Sequence, residues 1–324
     1  MSVQFNGILE SVRIEAVSVM KRLLLYLSTA GWARSIVTRW GIARRVARRF
    51  VAGEQLEEAI QATQALNNRG ILVTLDYLGE SVTNAKDTED VVRMYQTVLD
   101  RIHQHQLKSG ISVKLTHLGL DLSEELCVTN LRHILSRAKE YGIPVTIDME
   151  SSAYTDTTLR IYRTMRDEYD YDNVGTVIQA YLYRSEGDMI ELAGENAHIR
   201  LCKGAYLEPP DRAFPNKADV DKNYVKLLET YLGTPGNAYL CIATHDENMI
   251  RAAEQYIQSK NIPQSRYEFQ MLYGVRGERQ AELARKHKMR VYVPFGEAWY
   301  PYFMRRLAER PANVWFFIRS FVGA

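Results

Sequence analysis

Two short runs, ILVTLDYL at residues 71–78 and ISVKLTHLG at residues 111–119, decide the fold class. Each is rich in aliphatic and β-branched residues and has the length of a buried β-strand. Between them, six apolar residues recur at helical spacing and form one stripe: Val91, Val92, Tyr95, Val98, Leu99 and Ile102. A strand, a helix and a second strand in this order predict a βαβ unit, because parallel strands need such a crossover.

Six further runs of the same kind follow, and the spacing leaves room for a helix after each one. They cover residues 144–150, 174–182, 198–205, 238–245, 267–274 and 289–296. Eight βα units predict an α/β fold, a (β/α)8 barrel of the TIM type. An open, doubly wound sheet is the alternative, but it usually carries GxGxxG after its first strand, and the sequence has no such motif.

The first 55 residues differ from the rest in charge. Residues 1–50 carry nine Lys/Arg and two Glu, a net +7, whereas the whole chain is +2. Helical patterns at about residues 12–28 and 34–52 place these charges on amphipathic helices, which suits either an anionic membrane surface or docking on the barrel with a solvated arginine face. We predict a helical N-terminal segment, residues 1–55, packed on or near a catalytic barrel of residues 56–324.

Composition excludes several classes of protein. With 46% hydrophobic and 25% charged residues the chain has the make-up of a globular protein, neither disordered nor a multi-span membrane protein. Its acidic remainder lacks the basic stripe of a nucleic-acid-binding domain. Three cysteines without CxxC spacing, and no HExxH, argue against a disulfide framework or a metal site and favour the cytoplasm, with peripheral contact at the inner face of the membrane left open.

Polar side chains recur near the predicted carboxyl ends of the strands, where barrels of this type hold their working residues. They are Asp76, Glu80, Lys114, Asp148, Glu150, Gln179, Arg200, Lys203, Thr244, His245, Gln270 and Tyr292. Each such group needs a partner once buried, so a barrel built only for stability would not carry so many. The pattern predicts a binding or catalytic site.

The segment after the eighth run adds a second cluster. Tyr302, Arg305, Arg306 and Glu309 stand at i, i+3, i+4 and i+7, so one helix face carries all four. Two adjacent arginines on that face suit a small carboxylate or phosphate, because the guanidinium fork matches two anion oxygens. A surface ion pair between Arg306 and Glu309 is the alternative.

Nine stretches together resemble the proline dehydrogenase family of flavoenzymes, in the family's order and over about residues 70–320. They are LDYLGE (75–80), SVKLTHLGLD (112–121), TIDME (146–150), VIQAYLYR (177–184), RLCKGAY (200–206), ATHD (243–246), YEFQMLYG (267–274), RVYVPFG (290–296) and YFMRRLAERPAN (302–313). The likeness is to the short, single-function bacterial members. It implies a barrel that holds FAD without a Rossmann unit, oxidises L-proline to 1-pyrroline-5-carboxylate and passes electrons to membrane quinone.

The resemblance also implies roles for individual residues. Asp148 and Arg200 are the implied catalytic pair, with Arg200 beside flavin N5. The implied substrate contacts are Lys114, Leu272, Tyr292, Tyr302, Arg305 and Arg306. Glu80 pairs with Arg306 in the implied gate, and Asp76 hydrogen-bonds Tyr292. The implied cofactor contacts are Met149, Gln179, Arg200, Lys203, Gly204, Ala205, Thr244 and His245.

Two other functional classes fit part of the pattern. A Schiff-base aldolase would use Lys114 or Lys203 as its nucleophile and bind a substrate phosphate with the arginine pair. A non-enzymatic peripheral membrane protein would act through its basic N-terminal segment, but it leaves the polar strand ends unexplained. The sequence does not fix the oligomeric state.

Overall fold

The computed structural model describes residues 24, 26–27, 30, 45, 47–79 and 82–309. Its eight strands form one closed, all-parallel barrel in sequence order, which confirms the predicted (β/α)8 fold. The strands are β1 Leu72–Tyr77, β2 Ser109–Val113, β3 Val145–Ile147, β4 Val174–Gln179, β5 His198–Cys202, β6 Tyr239–Ala243, β7 Tyr267–Leu272 and β8 Met289–Phe295. The barrel closes where β1 pairs with β8, with Leu72 opposite Arg290.

Helices alternate with the strands throughout the described residues. They are α1 Leu56–Asn67, α2 Ala85–Gln104, α3 Glu124–Glu140, α4 Thr155–Arg163, α5 Ser185–Gly194, α6 Lys217–Gly233, α7 Glu247–Ser259, α8 Gly277–Ala284 and α9 Trp299–Glu309. A 3₁₀ turn, Ser152–Tyr154, precedes α4, and a π-helical turn, Thr164–Glu168, follows it. No helix in this part of the chain is both long enough and apolar enough to cross a bilayer.

Helix α2 shows how the sequence pattern becomes packing. It begins after Asn84, whose side chain accepts a hydrogen bond from the Asp87 amide at 3.0 Å and caps the helix. All six residues of the predicted apolar stripe are buried. The opposite face is charged and exposed, so the helix covers the barrel with one side only.

Several strands end earlier than the sequence pattern predicts. Strand β2 ends at Val113, whereas the apolar run continues to Gly119. After Val113 the chain folds into a tight turn in which the Leu118 amide donates to the Lys114 carbonyl at 3.2 Å, and Leu115 and Leu118 are fully buried. The loop at this end of the barrel belongs to the interior, so its composition resembles that of a strand.

Most of the predicted N-terminal helices, at about 12–28 and 34–52, lie outside the described residues. The described stretch from Ala47 to Glu54 runs along the carboxyl end of β8. The Ala52 amide donates to the Pro294 carbonyl at 2.9 Å, and Phe50 is buried against Phe303 of α9, with ring centroids 6.4 Å apart. This stretch therefore packs on the barrel and on its last helix.

Candidate active site

An ionic network fills the carboxyl end of the barrel interior and joins five predicted site residues. Lys114 Nζ lies 3.0 Å from Asp76 Oδ1 and 3.5 Å from Asp148 Oδ2. Arg200 donates from its NH1 group to Asp148 Oδ1 at 2.6 Å, and the Tyr292 hydroxyl donates to Asp148 Oδ2 at 2.8 Å. Asp148 is therefore the common acceptor for three donors on strands β2, β5 and β8 or immediately after them.

Burial and pairing set the charge states of this network. Burial lowers the pKa of Lys114, but Asp76 and Asp148 outweigh it and hold that pKa well above the ordinary value, so the side chain stays an ammonium. The pKa of Asp76 is raised, chiefly because its carboxyl group is fully buried, with Lys114 opposing the shift. Removal of Lys114 would leave the Asp76 carboxyl group buried without its cation.

Tyr292 adjoins both carboxyl groups of the network. We expected Asp76 to form a hydrogen bond with this phenol. The hydroxyl lies 2.8 Å from Asp148 Oδ2, and hydrogen bonding with Tyr292 also lowers the pKa of Asp76, against the larger effect of burial. The phenol ring also lies under the Arg200 guanidinium, with its centroid 5.2 Å from the Arg200 central carbon.

Arg200 is held on all sides. Its Nε donates to Gln270 Oε1 at 2.7 Å, and both terminal nitrogens lie 3.1 Å from Ser112 Oγ. Only 6% of the residue is exposed. Because a guanidinium is planar and these partners lie around it, the side chain has one orientation.

The network also contains residues that the sequence prediction missed. Ser112, Glu268 and Arg290 each stand two positions before a selected residue, namely Lys114, Gln270 and Tyr292. Alternate residues of a strand point to the same face, so these three positions face the barrel interior with their neighbours. That period of two was the available signal.

Helix α9 confirms the shared face predicted for Tyr302, Arg305 and Arg306. Tyr302 is buried and both arginines are half-buried, and the Arg306 guanidinium lies over the Tyr302 ring at 5.1 Å. The apolar cluster that includes Tyr302 packs against Tyr292, so this face adjoins the ionic network. The predicted gate partner Glu80, and the side chain of Glu309, lie outside what the structure describes.

The predicted cofactor contacts surround the same end of the barrel. Gln179 ends β4 and donates to the Met149 carbonyl at 3.4 Å, while its Oε1 is buried and accepts no hydrogen bond from any described residue. His245 follows β6 and accepts from the Leu272 amide at 2.8 Å through Nε2. Thr244 accepts from the Asp246 amide at 3.1 Å.

The stretch Lys203–Ala205 leaves β5 through a positive-φ backbone conformation that favours glycine. Gly204 has φ +107°, and a Cβ at this position would lie 2.4 Å from the Tyr181 ring. The residue must therefore be glycine, which lets the backbone approach its neighbours closely. Lys203 Nζ pairs with Asp221 at 2.5 Å and with Asp246 at 3.0 Å, and Ala205 is half-buried.

Comparisons with known proteins agree with the resemblance seen in the sequence. The proline dehydrogenase family model matches residues 59–319. Proline dehydrogenase 1 of Bacillus subtilis is 44% identical over 303 residues, which are 93% of this chain and 99% of that protein. Proline dehydrogenase of Deinococcus radiodurans is 44% identical over 289 residues, or 87% of this chain and 90% of that protein.

Solved structures share the architecture. Proline utilization A (PutA) of Bdellovibrio bacteriovorus, inactivated by N-propargylglycine, superposes with a TM-score of 0.76 at 26% sequence identity. The match covers 82% of this chain and 33% of that one, so this chain spans about a third of the larger protein.

Proposed function

This chain belongs to the proline dehydrogenase family, and from that premise we propose that it uses FAD to oxidise L-proline to 1-pyrroline-5-carboxylate. It is an oxidoreductase of proline catabolism. One observation carries the proposal, namely that Asp148 anchors Lys114, Arg200 and Tyr292 in a single network inside the barrel.

We assign the proline carboxylate to Lys114, Arg305 and Arg306. Lys114 stays charged inside the barrel, and the two arginines share a helix face that adjoins the network through Tyr302 and Tyr292. Three cations around one carboxylate fix the far end of a small substrate, and such anchoring supplies the orientation that the reaction needs. Tyr292, Tyr302 and Leu272 then pack on the apolar carbons of the ring.

The described residues fit a flavin. Gln179 Oε1 is a buried acceptor that an N–H group of a ligand can satisfy, and the flavin ring carries such a group. Gly204 keeps the backbone after β5 free of a side chain. Met149, Gln179, Lys203, Gly204, Ala205, Thr244 and His245 would hold the cofactor, with Arg200 beside it. FAD, when bound, supplies the hydride acceptor, N5 of its flavin ring.

The remaining chemistry falls to side chains of this protein. Proline loses a hydride from the ring CH2 carbon bonded to nitrogen and a proton from nitrogen. Its amine must therefore be neutral before the hydride leaves. The cations Lys114, Arg200 and Arg305 lower the pKa of an amine placed among them and favour that neutral form. Arg200, which Gln270, Ser112 and Asp148 hold in place, would supply a positive charge beside the bound cofactor and so stabilise its reduced form.

The aldolase alternative loses support from both of its lysines. A Schiff-base lysine needs a neutral amine, usually obtained by lowering its pKa. Lys114 is held as an ammonium between Asp76 and Asp148, and Lys203 is paired with Asp221 and Asp246. Neither side chain has the environment of a nucleophile.

We also propose that electrons pass to a membrane quinone and that residues 1–55 form a helical segment docked on the barrel. The contacts of Phe50 and Ala52 with α9 and β8 support docking. Deletion of residues 1–50 should then lower thermal stability and activity with a soluble dye together, because Phe303 becomes exposed. A deleted protein that keeps both but no longer pellets with anionic vesicles would instead favour a membrane role.

The proposed activity is tested on the purified protein. Denaturation should release FAD, and anaerobic L-proline should bleach the bound flavin and yield 1-pyrroline-5-carboxylate without added NAD. D-Proline and L-alanine serve as matched controls. A colourless protein that cannot be reconstituted with FAD would overturn the cofactor assignment, and a yellow protein that L-proline leaves unbleached would overturn the substrate assignment.

A further inference from the structure

A second buried ion pair lies below the active-site network, toward the amino ends of the strands. Arg290 Nε is 2.5 Å from Glu268 Oε1, and Arg290 NH2 is 3.1 Å from Glu268 Oε2. Arg290 also donates to the Val73 carbonyl at 2.8 Å. Glu268 is 1% exposed.

Stability alone does not account for this pair. The interior of a (β/α)8 barrel is normally packed with branched apolar residues. Replacing a buried ion pair by apolar side chains of similar volume is often neutral or stabilising. The pair therefore needs a reason other than stability, and its contacts with neighbouring side chains provide one.

Glu268 fixes the orientation of the next inward-facing side chain on β7. Gln270 Nε2 donates to Glu268 Oε1 at 2.6 Å. The opposite atom of that amide, Gln270 Oε1, accepts from Arg200 Nε at 2.7 Å. If the amide were reversed, an NH2 group would face the Arg200 guanidinium, donor against donor. A charged acceptor at position 268 prevents that reversal.

The two ion pairs form one continuous chain through the barrel. Arg290 holds Glu268, Glu268 orients Gln270, Gln270 holds Arg200, and Arg200 meets Asp148. Burial raises the pKa of Glu268, but Arg290 and Gln270 outweigh it and hold the value at about 2. Glu268 therefore remains a carboxylate that can only accept hydrogen bonds.

We propose that Glu268 and Arg290 are positioning residues for the oxidation reaction. Through Gln270 they set the orientation in which the Arg200 guanidinium meets Asp148 and would face a bound flavin. They touch neither proline nor the carboxylate anchors Lys114, Arg305 and Arg306. The inference rests on the proposed function, because the expected effect is a change in the rate at which proline reduces the flavin.

The test compares Glu268→Gln with the double variant Glu268→Gln/Arg290→Met, which removes both charges. The single variant should bind FAD with an altered visible absorption spectrum and should reduce it with proline roughly tenfold more slowly, since a small displacement of a catalytic group has effects of this order or larger. The KM for proline should stay within about twofold, because the carboxylate anchors are untouched.

The double variant separates positioning from stability. It should recover the melting temperature of the parent protein, since no buried charge is left unpaired. Flavin reduction should stay slow, because an amide at position 268 can donate as well as accept and no longer forces one orientation on the Gln270 amide. Tyr239→Phe is the matched control. It removes a different hydrogen bond to Glu268, the one to Oε2 at 3.2 Å, and should leave the spectrum and rate unchanged.

Two results would overturn the inference: recovery of both rate and melting temperature in the double variant, or a parental spectrum and rate in both Glu268 variants. If Glu268→Gln does not fold, the double variant alone decides between these outcomes. If proline fails to bleach the parent protein, the proposed function is at fault, and the spectrum of added FAD still tests the positioning role.

Discussion

The barrel interior and the helices that surround it, here called the shell, contain the same kind of ion pair, between an arginine and a carboxylate, in different surroundings. Inside, Arg200 and Asp148 pair at 2.6 Å with side chains 8% and 13% exposed. On the shell, Arg163 pairs with Glu191 at 3.1 Å, with side chains 32% and 67% exposed. Water screens the shell pair, so it contributes about 0–1 kcal/mol, whereas the loss of one partner from a buried pair costs several. Burying the interior charges costs free energy of desolvation, so we attribute their presence to function.

The largest difference between the two regions is expected for Lys114→Met. This change leaves the buried Asp76 without its cation and should lower the free energy of unfolding by about 3–5 kcal/mol. Proline should also bind more weakly. Chemical denaturation measures the first effect and steady-state kinetics the second.

Lys139→Met is the matched control on the shell, where the partner Asp170 is almost fully exposed. It should change the free energy of unfolding by less than about 1 kcal/mol. Equal losses of unfolding free energy in Lys114→Met and Lys139→Met would show that interior and shell ion pairs contribute equally to stability.

The arginines of α9 should show a binding effect rather than a folding effect. Arg305→Ala and Arg306→Ala each remove a charge-assisted contact to the proline carboxylate, which should cost about 1.5–3 kcal/mol, or roughly ten- to a hundredfold in kcat/KM. The loss should fall mainly on KM, with the melting temperature little changed. Unchanged kinetics in both variants would rule out the carboxylate assignment.

His117 should make the interior sensitive to acid. Its ring is buried and stacks on Tyr77 with centroids 5.5 Å apart, and burial, with a smaller contribution from Lys114, lowers its pKa to about 3. Between pH 6.5 and about 3 the unfolded chain binds a proton here that the folded chain does not. Stability should therefore fall as the pH falls through this window, by up to about 1.4 kcal/mol per pH unit.

Unfolding free energies measured at several pH values check this slope. His117→Gln should flatten it by about one proton, whereas His133→Gln, on the exposed face of α3, should leave it as in the parent. An unchanged slope in His117→Gln would contradict the burial argument.

The smallest effect is expected on the shell at Arg160. Its guanidinium forms two contacts with Glu124, one of them at 2.8 Å, but the two side chains are 56% and 43% exposed. Arg160→Ala should lower the free energy of unfolding by less than about 1 kcal/mol and leave proline oxidation unchanged. A loss of several kcal/mol would show that good geometry outweighs exposure.

The sequence predicts the barrel well because its signal is local. Alternating strand and helix periods gave all eight strands, and the helix that carries Tyr302 and Arg305 lies where the spacing placed it. The strand ends were less predictable. Leu115 and Leu118 lie in a buried turn, and burial gives a loop the composition of a strand.

Which side chains form hydrogen bonds and ion pairs with one another was harder to predict than which residues lie at the site. Asp76, Asp148 and Tyr292 were all selected, but the 2.8 Å hydrogen bond from the phenol to Asp148 depends on distances between β1, β3 and β8, which the sequence does not give. Lys203 meets Asp221 and Asp246, which are far from it in the sequence. The pairing of donors and acceptors at the end of a barrel depends on the stagger of the strands and on loop geometry. The spacing of residues in the sequence predicts neither.

The most direct test of the account measures the single-turnover rate of flavin bleaching by proline in Arg200→Lys and in the shell variant Arg163→Lys. Both changes keep the positive charge and remove the planar fork. We predict that bleaching slows roughly hundredfold in Arg200→Lys, whose side chain can no longer meet Gln270, Ser112 and Asp148 together, and stays within about twofold of the parent in Arg163→Lys. Equal rates in the two variants would show that the fixed orientation of Arg200 does not matter for the reaction.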